Sequence, residues 1–404
     1  MFHEEIAKCH ALYLQIMHGD VYMNWKTVTR LANIEGDGIE RKKVHRVNLL
    51  ISLWLLASAV RFGSMFFGSG SLPTFVIGHT LFLIGSWAKM VGVVASVVLA
   101  ECACLRLAGR YLSSTNRMIF LDTVKQVVNE GDGDLRQRKL NMTRNVLIAV
   151  LIVIPTIIGD RLLFYTSMLV YNLHSASSVW EVGCWIFWYL ADLTAPILVA
   201  TDLMLFPAMW IIVVLNHRMD MRHLIHRLDS LSEAPAHARS ARFSSLAEQY
   251  VRLIHRSVSV NSFSAPILFV VSLFAPPLFC TVLFTLQYFE GQLITGVIMA
   301  AAVPIEVGVA ALLSTAASLT STAEELHSAL CRAACDPRLI HTLTSDMKLQ
   351  RFKMIEETGA ETTQLALYTL DGQKYTTEML LYFAIELGLD YTLLLTLNGS
   401  LTLV

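Results

Sequence analysis

Apolar and polar stretches alternate along the chain on the scale of whole membrane spans. Predominantly apolar runs cover Val47 to Phe67, Thr74 to Leu105, Val146 to Tyr171, Val182 to Leu215, Ala265 to Phe289 and Leu293 to Leu319. A helix crosses the hydrocarbon in about 20 such residues, so these six runs predict six spans. A seventh opens near Met379 and continues to Val404. Glu386 and Asp390 interrupt it, each costing roughly 2.5–3.5 kcal/mol near a helix centre. The second and fourth runs would be about 50 Å long at 1.5 Å per residue. They contain no Asn-Gly or Pro-Gly turn signal, so each reads as one tilted helix that projects into water. The first run follows a polar leader with Arg41, Lys42, Lys43 and Arg46. It starts too late and is too long for a cleaved leader, and reads as a retained signal-anchor.

Composition agrees with the pattern. Of 404 residues, 54% are hydrophobic and 16% charged, against about 25% charged in a soluble domain. There is too little polar surface to cover a water-soluble globule of this size. A net charge of −1 gives no long-range pull on polyanions and excludes a nucleic-acid partner. No His-x-x-x-His pair, Gly-rich phosphate loop or Gly-x-Ser-x-Gly elbow is present, so the reading is not an enzyme, with no catalytic residue, metal or cofactor.

Charge placement sets the orientation. All 31 Lys and Arg residues except Arg61, Lys89 and Arg161 lie in the leader or in the links after the second, fourth and sixth runs. The alternate links, Gly68 to Pro73, Asn172 to Glu181 and Glu290 to Gln292, have none. By the positive-inside rule the N-terminus is cytosolic. That is the reverse of a G-protein-coupled receptor, whose Asp-Arg-Tyr and Asn-Pro-x-x-Tyr signatures are also missing. Cys331 and Cys335 then face reducing cytosol as unpaired thiols, without His or Cys partners at metal spacing. His217, His223, His226, His237 and His255 sit among Arg residues and read as a solvated or headgroup-facing helix surface.

The cytosolic links carry helical stripes. Met221, Leu224, Ile225 and Leu228 form one, and Leu246, Tyr250, Leu253 and Ile254 another, with a break at Pro235 between them. A third comprises Leu326, Leu330 and Ala334, and a fourth Leu349, Phe352 and Ile355. Such stripes predict a cytosolic helical bundle shared between subunits or packed within one chain. The fold class expected is therefore all-α: a polytopic seven-transmembrane helical membrane protein with an intracellular N-terminus and long cytosolic helical extensions. Its divisions are a cytosolic segment (1–46), helices one to six with their links (47–319), cytosolic anchor helices (320–378) and the start of the last helix (379–404).

The stretch from Phe383 to Leu394, with Leu389-Asp390-Tyr391-Thr392-Leu393 and then Gly399, resembles the lead-in to the final helix of insect gustatory receptors. Ser318 to Glu325 looks like that family's polar exit from the sixth span, and a helix over Gln350 to Asp371 takes the place of its cytosolic segment. The resemblance covers about the last 85 residues. The family's Thr-Tyr…Gln-Phe signature should follow Val404, where the chain stops, so the pore wall is expected to be incomplete here. The resemblance implies a ligand-gated, non-selective cation channel subunit in the plasma membrane. It also implies a homotetramer or a hetero-oligomer with related receptors, and a tastant of the sugar or bitter kind bound in the outer half. Membrane lipid is the other partner. Asp390, Tyr391, Leu394 and Gly399 would lead into the pore helix.

Ionisable residues within spans are costly in lipid and are functional candidates. Arg61, His79, Lys89, Glu101, Asp160, Arg161, Asp192, Asp202 and Glu306 are of this kind. Asp192 is expected to pair with Lys89 or Arg61, as a ligand group or as a structural ion pair. Trp180 and Trp185 read as interface-belt anchors. Trp188 and Tyr189 stand one turn above Asp192, with Gln287 and Tyr288 available from the fifth span. The candidate ligand-binding set is thus Lys89, Asp160, Trp188, Tyr189, Asp192, Gln287, Tyr288 and Glu306, or simple lipid-facing packing for any one of them. Seven of the ten prolines lie in or at the edges of spans and are expected to kink helices. A transporter, or a non-conducting receptor-like protein of the same fold, is the alternative function.

Overall fold

The computed structural model describes residues 38–67, 88–111, 133–231, 233–288, 293–341, 343–359, 365–368 and 374–401. These residues form helices: α1 (Gly38–Phe67), α2 (Ala88–Tyr111), α3 (Gly133–Ser175), α4 (Val179–Asp229) and α5 (Ala236–Tyr288). They continue with α6 (Leu293–Cys335), α7 (Pro337–Ile340), α8 (Ser345–Gly359) and α9 (Thr377–Leu401). The one bridge among the described residues pairs Tyr368 with Lys374.

The fourth run is a single helix, as its lack of turn signals required. α4 has 51 residues and is about 77 Å long at 1.5 Å per residue, far more than a hydrocarbon core of about 30 Å. Ser178 caps it from an extended backbone (φ −144°, ψ 156°), its hydroxyl accepting the Glu181 N–H at 3.2 Å. The Glu181 carboxylate in turn accepts from the Ser177 N–H and hydroxyl, each at 2.9 Å. Those two bonds hold Glu181 below the usual carboxylate range. At the other end the Ser230 N–H returns to His226 and its hydroxyl to the Arg227 carbonyl. The chain then turns, and α5 starts directly after Pro235, at the predicted break.

α4 is the centre of the molecule, packed by α2, α3, α5 and α6, while α1 pairs with α2 and α9 lies on α5 and α6. Its buried stretch runs through Met209, Trp210, Ile212, Val213 and Val214. Trp210 is fully buried, and its indole N–H donates to the Ser264 hydroxyl of α5 at 2.7 Å. The stripes at Met221, Leu224 and Leu228 and at Leu246, Tyr250 and Leu253 are buried as their spacing predicts.

Among the described residues one helix, Gly133–His174, is by itself long and apolar enough to cross a membrane. A second candidate, Ala236–Ser262 with Ser264–Cys280, bends by 40°. The bend has a local cause: a proline ring clashes with the carbonyl four residues earlier, and Pro266 does so at Ser262. α3 runs on through Pro155 without a break. The outer faces stay apolar, with Leu53 and Val60 on α1, Leu163 on α3, Phe187 on α4 and Leu273 on α5 all exposed.

Four expectations are corrected. The helix expected over Gln350 to Asp371 ends at Gly359, and the bridge at Tyr368 and Lys374 follows it. The stripe Leu349, Phe352 and Ile355 does not face inward. α8 buries Arg351, Met354 and Thr358, leaving Leu349 and Phe352 exposed. Trp185 is buried rather than a belt anchor, whereas Trp180 is exposed. His217 is buried rather than solvated.

Candidate functional site

Two clusters of buried charge lie at opposite ends of α4. The first is near the short connection between α3 and α4, which the turn at 176–178 closes. Asp192 is three turns or more into α4, and Arg61 sits in the last part of α1. Of the two partners expected for Asp192, the structure brings Arg61. Arg61 Nη2 donates to Asp192 Oδ1, with both side chains largely out of solvent. The guanidinium is stacked between two rings, its Cζ lying 4.7 Å from the Phe62 centroid and 4.4 Å from that of Trp188. Trp188 itself meets Phe187 edge-on at 5.1 Å.

One turn away, the Tyr189 hydroxyl shares a 3.0 Å hydrogen bond with Thr166 of α3. Tyr165, next to Thr166 and buried, lies within electrostatic reach of Asp192, Arg161 and Arg61. Arg61 Nε has no hydrogen-bond partner among the described residues. The cluster therefore offers an indole face, a donor on a fixed cation and a hydroxyl pair, all carried on three different helices. That combination can hold a small aromatic or hydroxylated molecule. It costs little to keep in place, since the cation is compensated by its carboxylate and its flat faces are covered by rings.

The other predicted residues are distributed as follows. Lys89 lies on α2, Asp160 on α3, Gln287 and Tyr288 at the end of α5 and Glu306 on α6, and their side chains lie outside the described residues. The same holds for the side chains of Asp390 and Leu394 on α9 and for the surroundings of Gly399, whereas Tyr391 is half-buried. α9 runs unbroken from Thr377 through Glu386 and Asp390. Phe62, Tyr165 and Thr166 join the cluster although they were not singled out in the sequence. Phe and Tyr in an apolar run carry no signal until their neighbours are known.

The second cluster is at the basic end, just beyond the fourth apolar run. Asp220 of α4 accepts from Lys139 of α3 and Arg256 of α5. His217, one turn before Asp220, bonds through Nε2 to the Ser257 hydroxyl at 2.6 Å. That hydroxyl donates to the Leu253 carbonyl at 3.0 Å, so it accepts from Nε2–H. His217 Nδ1 has no hydrogen-bond partner among the described residues. Burial, with Arg256 and Lys139 nearby, pushes His217 down to about 3 against the smaller opposing pull of Asp220. The ring is therefore neutral at any ordinary pH. Arg218 extends the cluster to α6, donating to the Thr322 hydroxyl at 3.2 Å. Three helices are thus pinned together by one carboxylate, and a fourth by one hydroxyl. No group of three or more His, Cys, Asp or Glu side chains among the described residues is placed to hold a metal ion.

No family model matches the sequence, and no curated protein does either. The fold, by contrast, has a solved counterpart. The structure of the insect olfactory receptor OR5 from Machilis hrabei in complex with eugenol superposes with a TM-score of 0.66 at 11% identity, covering 94% of this chain and 100% of that one. The chain has the fold of an insect olfactory receptor.

Proposed function

We propose that this protein is a chemosensory receptor subunit that forms a ligand-gated, non-selective cation channel in the plasma membrane. Its ligand is a small molecule held at the Arg61, Trp188, Tyr189 and Asp192 cluster. The single observation that carries the reading is the whole-chain likeness to a receptor solved with a small aromatic ligand. The segregation of basic residues supports a cytosolic N-terminus, which puts the cluster in the outer half and the Asp220 network at the inner boundary. Lys89, Asp160, Gln287, Tyr288 and Glu306 complete the ligand set in this reading, and Asp390, Tyr391, Leu394 and Gly399 lead into the pore. A tastant of the sugar or bitter kind follows from the resemblance of the last stretch to gustatory receptors.

Assembly into a tetramer, of one chain or with related receptors, is supported by apolar side chains with nothing over them. Leu381, Ile385, Leu389 and Leu393 make one exposed stripe along α9, and Leu349 and Phe352 are exposed on α8, outside the apolar runs. Apolar surface of this extent is covered by lipid or by protein. Recording from cells that express the receptor tests the function. Ligand-evoked cation current that disappears on Trp188→Ala, with surface expression retained, is the expected result. Substrate uptake without unitary currents would instead make it a transporter.

A further inference from the structure

α8 folds back on the end of α6, and the seam between them holds a set of side chains unrelated to the charge clusters above. His327, Cys331 and Cys335 follow one another at single-turn spacing on α6. From α8 come Thr358, Met354 and Arg351. His327 Nδ1 lies 3.0 Å from Thr358 Oγ1, and His327 Nε2 lies 3.5 Å from Cys331 Sγ.

The hydrogen bonds determine which ring nitrogen carries the proton. The Thr358 hydroxyl donates to the Met354 carbonyl at 2.9 Å, with the Ile355 carbonyl at 3.1 Å. Its only proton is therefore used, and Oγ1 must accept from His327 Nδ1–H. The Nε2 lone pair is then the free acceptor, and the Cys331 S–H donates to it. A thiol, a base facing it and a third group that orients the base form the arrangement that activates a nucleophile. The ring is also held sterically, because a Cβ on Gly359 would lie 2.6 Å from His327 Cε1. A positive group is at hand as well. Arg351 is 97% buried, with Nε and Nη1 unpartnered among the described residues. Arg351 lies on the same buried face of α8 as Met354 and Thr358. Among the described residues no third metal-ligating donor joins His327 and Cys331, and the pair is read as thiol chemistry.

We infer that Cys331 is a covalent modification site for soft electrophiles of the α,β-unsaturated carbonyl class, with His327 as its general base and Thr358 as the positioning residue. In the addition, the Cys331 S–H proton passes to His327 Nε2 and a sulfur electron pair forms the C–S bond to the β-carbon. The C=C π pair moves toward the carbonyl oxygen to give an enolate. His327 Nε2–H then returns the proton to the α-carbon, leaving a thioether. Nothing else is consumed or released. The adduct would stand between α6 and α8 and wedge the seam open.

The test uses the full chain in detergent, with N-ethylmaleimide as the probe and peptide mass spectrometry to time the alkylation of each cysteine. Cys331 is half-buried and Cys335 exposed, so accessibility alone would make Cys335 the faster. The expected result is the opposite order. His327→Gln is expected to slow Cys331 by roughly tenfold to a hundredfold, the lower part of what a positioned general base supplies, and to leave Cys335 unchanged. Thr358→Val, which releases the tautomer without touching the sulfur, should slow Cys331 severalfold. If Cys335 reacts first in the unaltered protein, the inference is overturned, and that comparison requires no variant to fold. An unchanged Cys331 rate in both variants would overturn it equally.

Discussion

The two charge clusters on α4 use the same kind of residue to opposite ends. Near the short connection, one arginine meets one carboxylate, and the cation's flat faces are covered by Phe62 and Trp188. At the basic end, one carboxylate serves two cations from two further helices, beside a histidine that stays neutral. The first arrangement leaves Arg61 Nε without a hydrogen-bond partner among the described residues. The second is fully committed to joining α3, α4 and α5. A buried charge can therefore form a recognition surface or a structural joint, and the number of helices that depend on it distinguishes the two.

Asp220→Asn breaks this comparison most severely. It leaves Lys139 and Arg256 without their shared carboxylate. Removing one partner of a buried pair costs about 3–5 kcal/mol, and here two cations lose it. The expected outcome is the largest drop in thermal midpoint of any variant considered, measured on protein purified in detergent. Asp192→Asn or Arg61→Leu alone should cost about 3 kcal/mol for the same reason. Combining Arg61→Leu with Asp192→Leu removes both charges and is expected to recover most of that stability while abolishing ligand-evoked current. A double variant that still responds would reduce the outer cluster to a structural joint like the inner one.

Acid offers a gentler perturbation of the inner cluster. His217 is depressed in the folded state, to about 3 from 6.5, so only the unfolded chain takes up its proton as pH falls between those values. Its contribution is fully retained above pH 6.5 and is lost progressively below it. At pH 5.5 the loss is on the order of 1 kcal/mol. His217→Gln should flatten the fall in thermal midpoint between pH 7 and 5.5. Trp188→Ala uncovers one face of Arg61 and should cost about 1 kcal/mol of stability, with a proportionally larger effect on ligand response than on folding. The smallest effect expected is that of Ser178→Ala. Losing the α4 cap should cost about 0.5–1 kcal/mol, read as a small shift in midpoint with the response intact.

Much of this architecture could be read from the chain itself. An apolar run without a turn signal can only be continuous helix, and α4 is one. Pro235 marked the break before α5, and Asp192 in an apolar run demanded a cation, with Arg61 among the few available. The α8 face was misread for an instructive reason. Leu349, Phe352 and Ile355 make a helical stripe, but so do Met347, Arg351, Met354 and Thr358, and the second carries the buried positions, with only Ile355 of the first packed on the core. Hydropathy favoured the first face because a buried arginine is costly by itself. The pairing of His327 with Cys331 was equally overlooked, since one-turn spacing of a His and a Cys is unremarkable until Thr358 is brought in from α8.

Sequence by itself determined that the fourth apolar run is one continuous helix, that the chain breaks at Pro235 and where positive charge is confined, because these follow from local steric and solvation rules that each segment obeys alone. Only the tertiary structure decided which face of each helix is covered, that His217 is neutral and that Arg61 is stacked on Trp188. Burial and proton placement are properties of neighbours, and the neighbours here come from other helices, 40 residues away for His217 and Ser257 and 131 for Arg61 and Asp192.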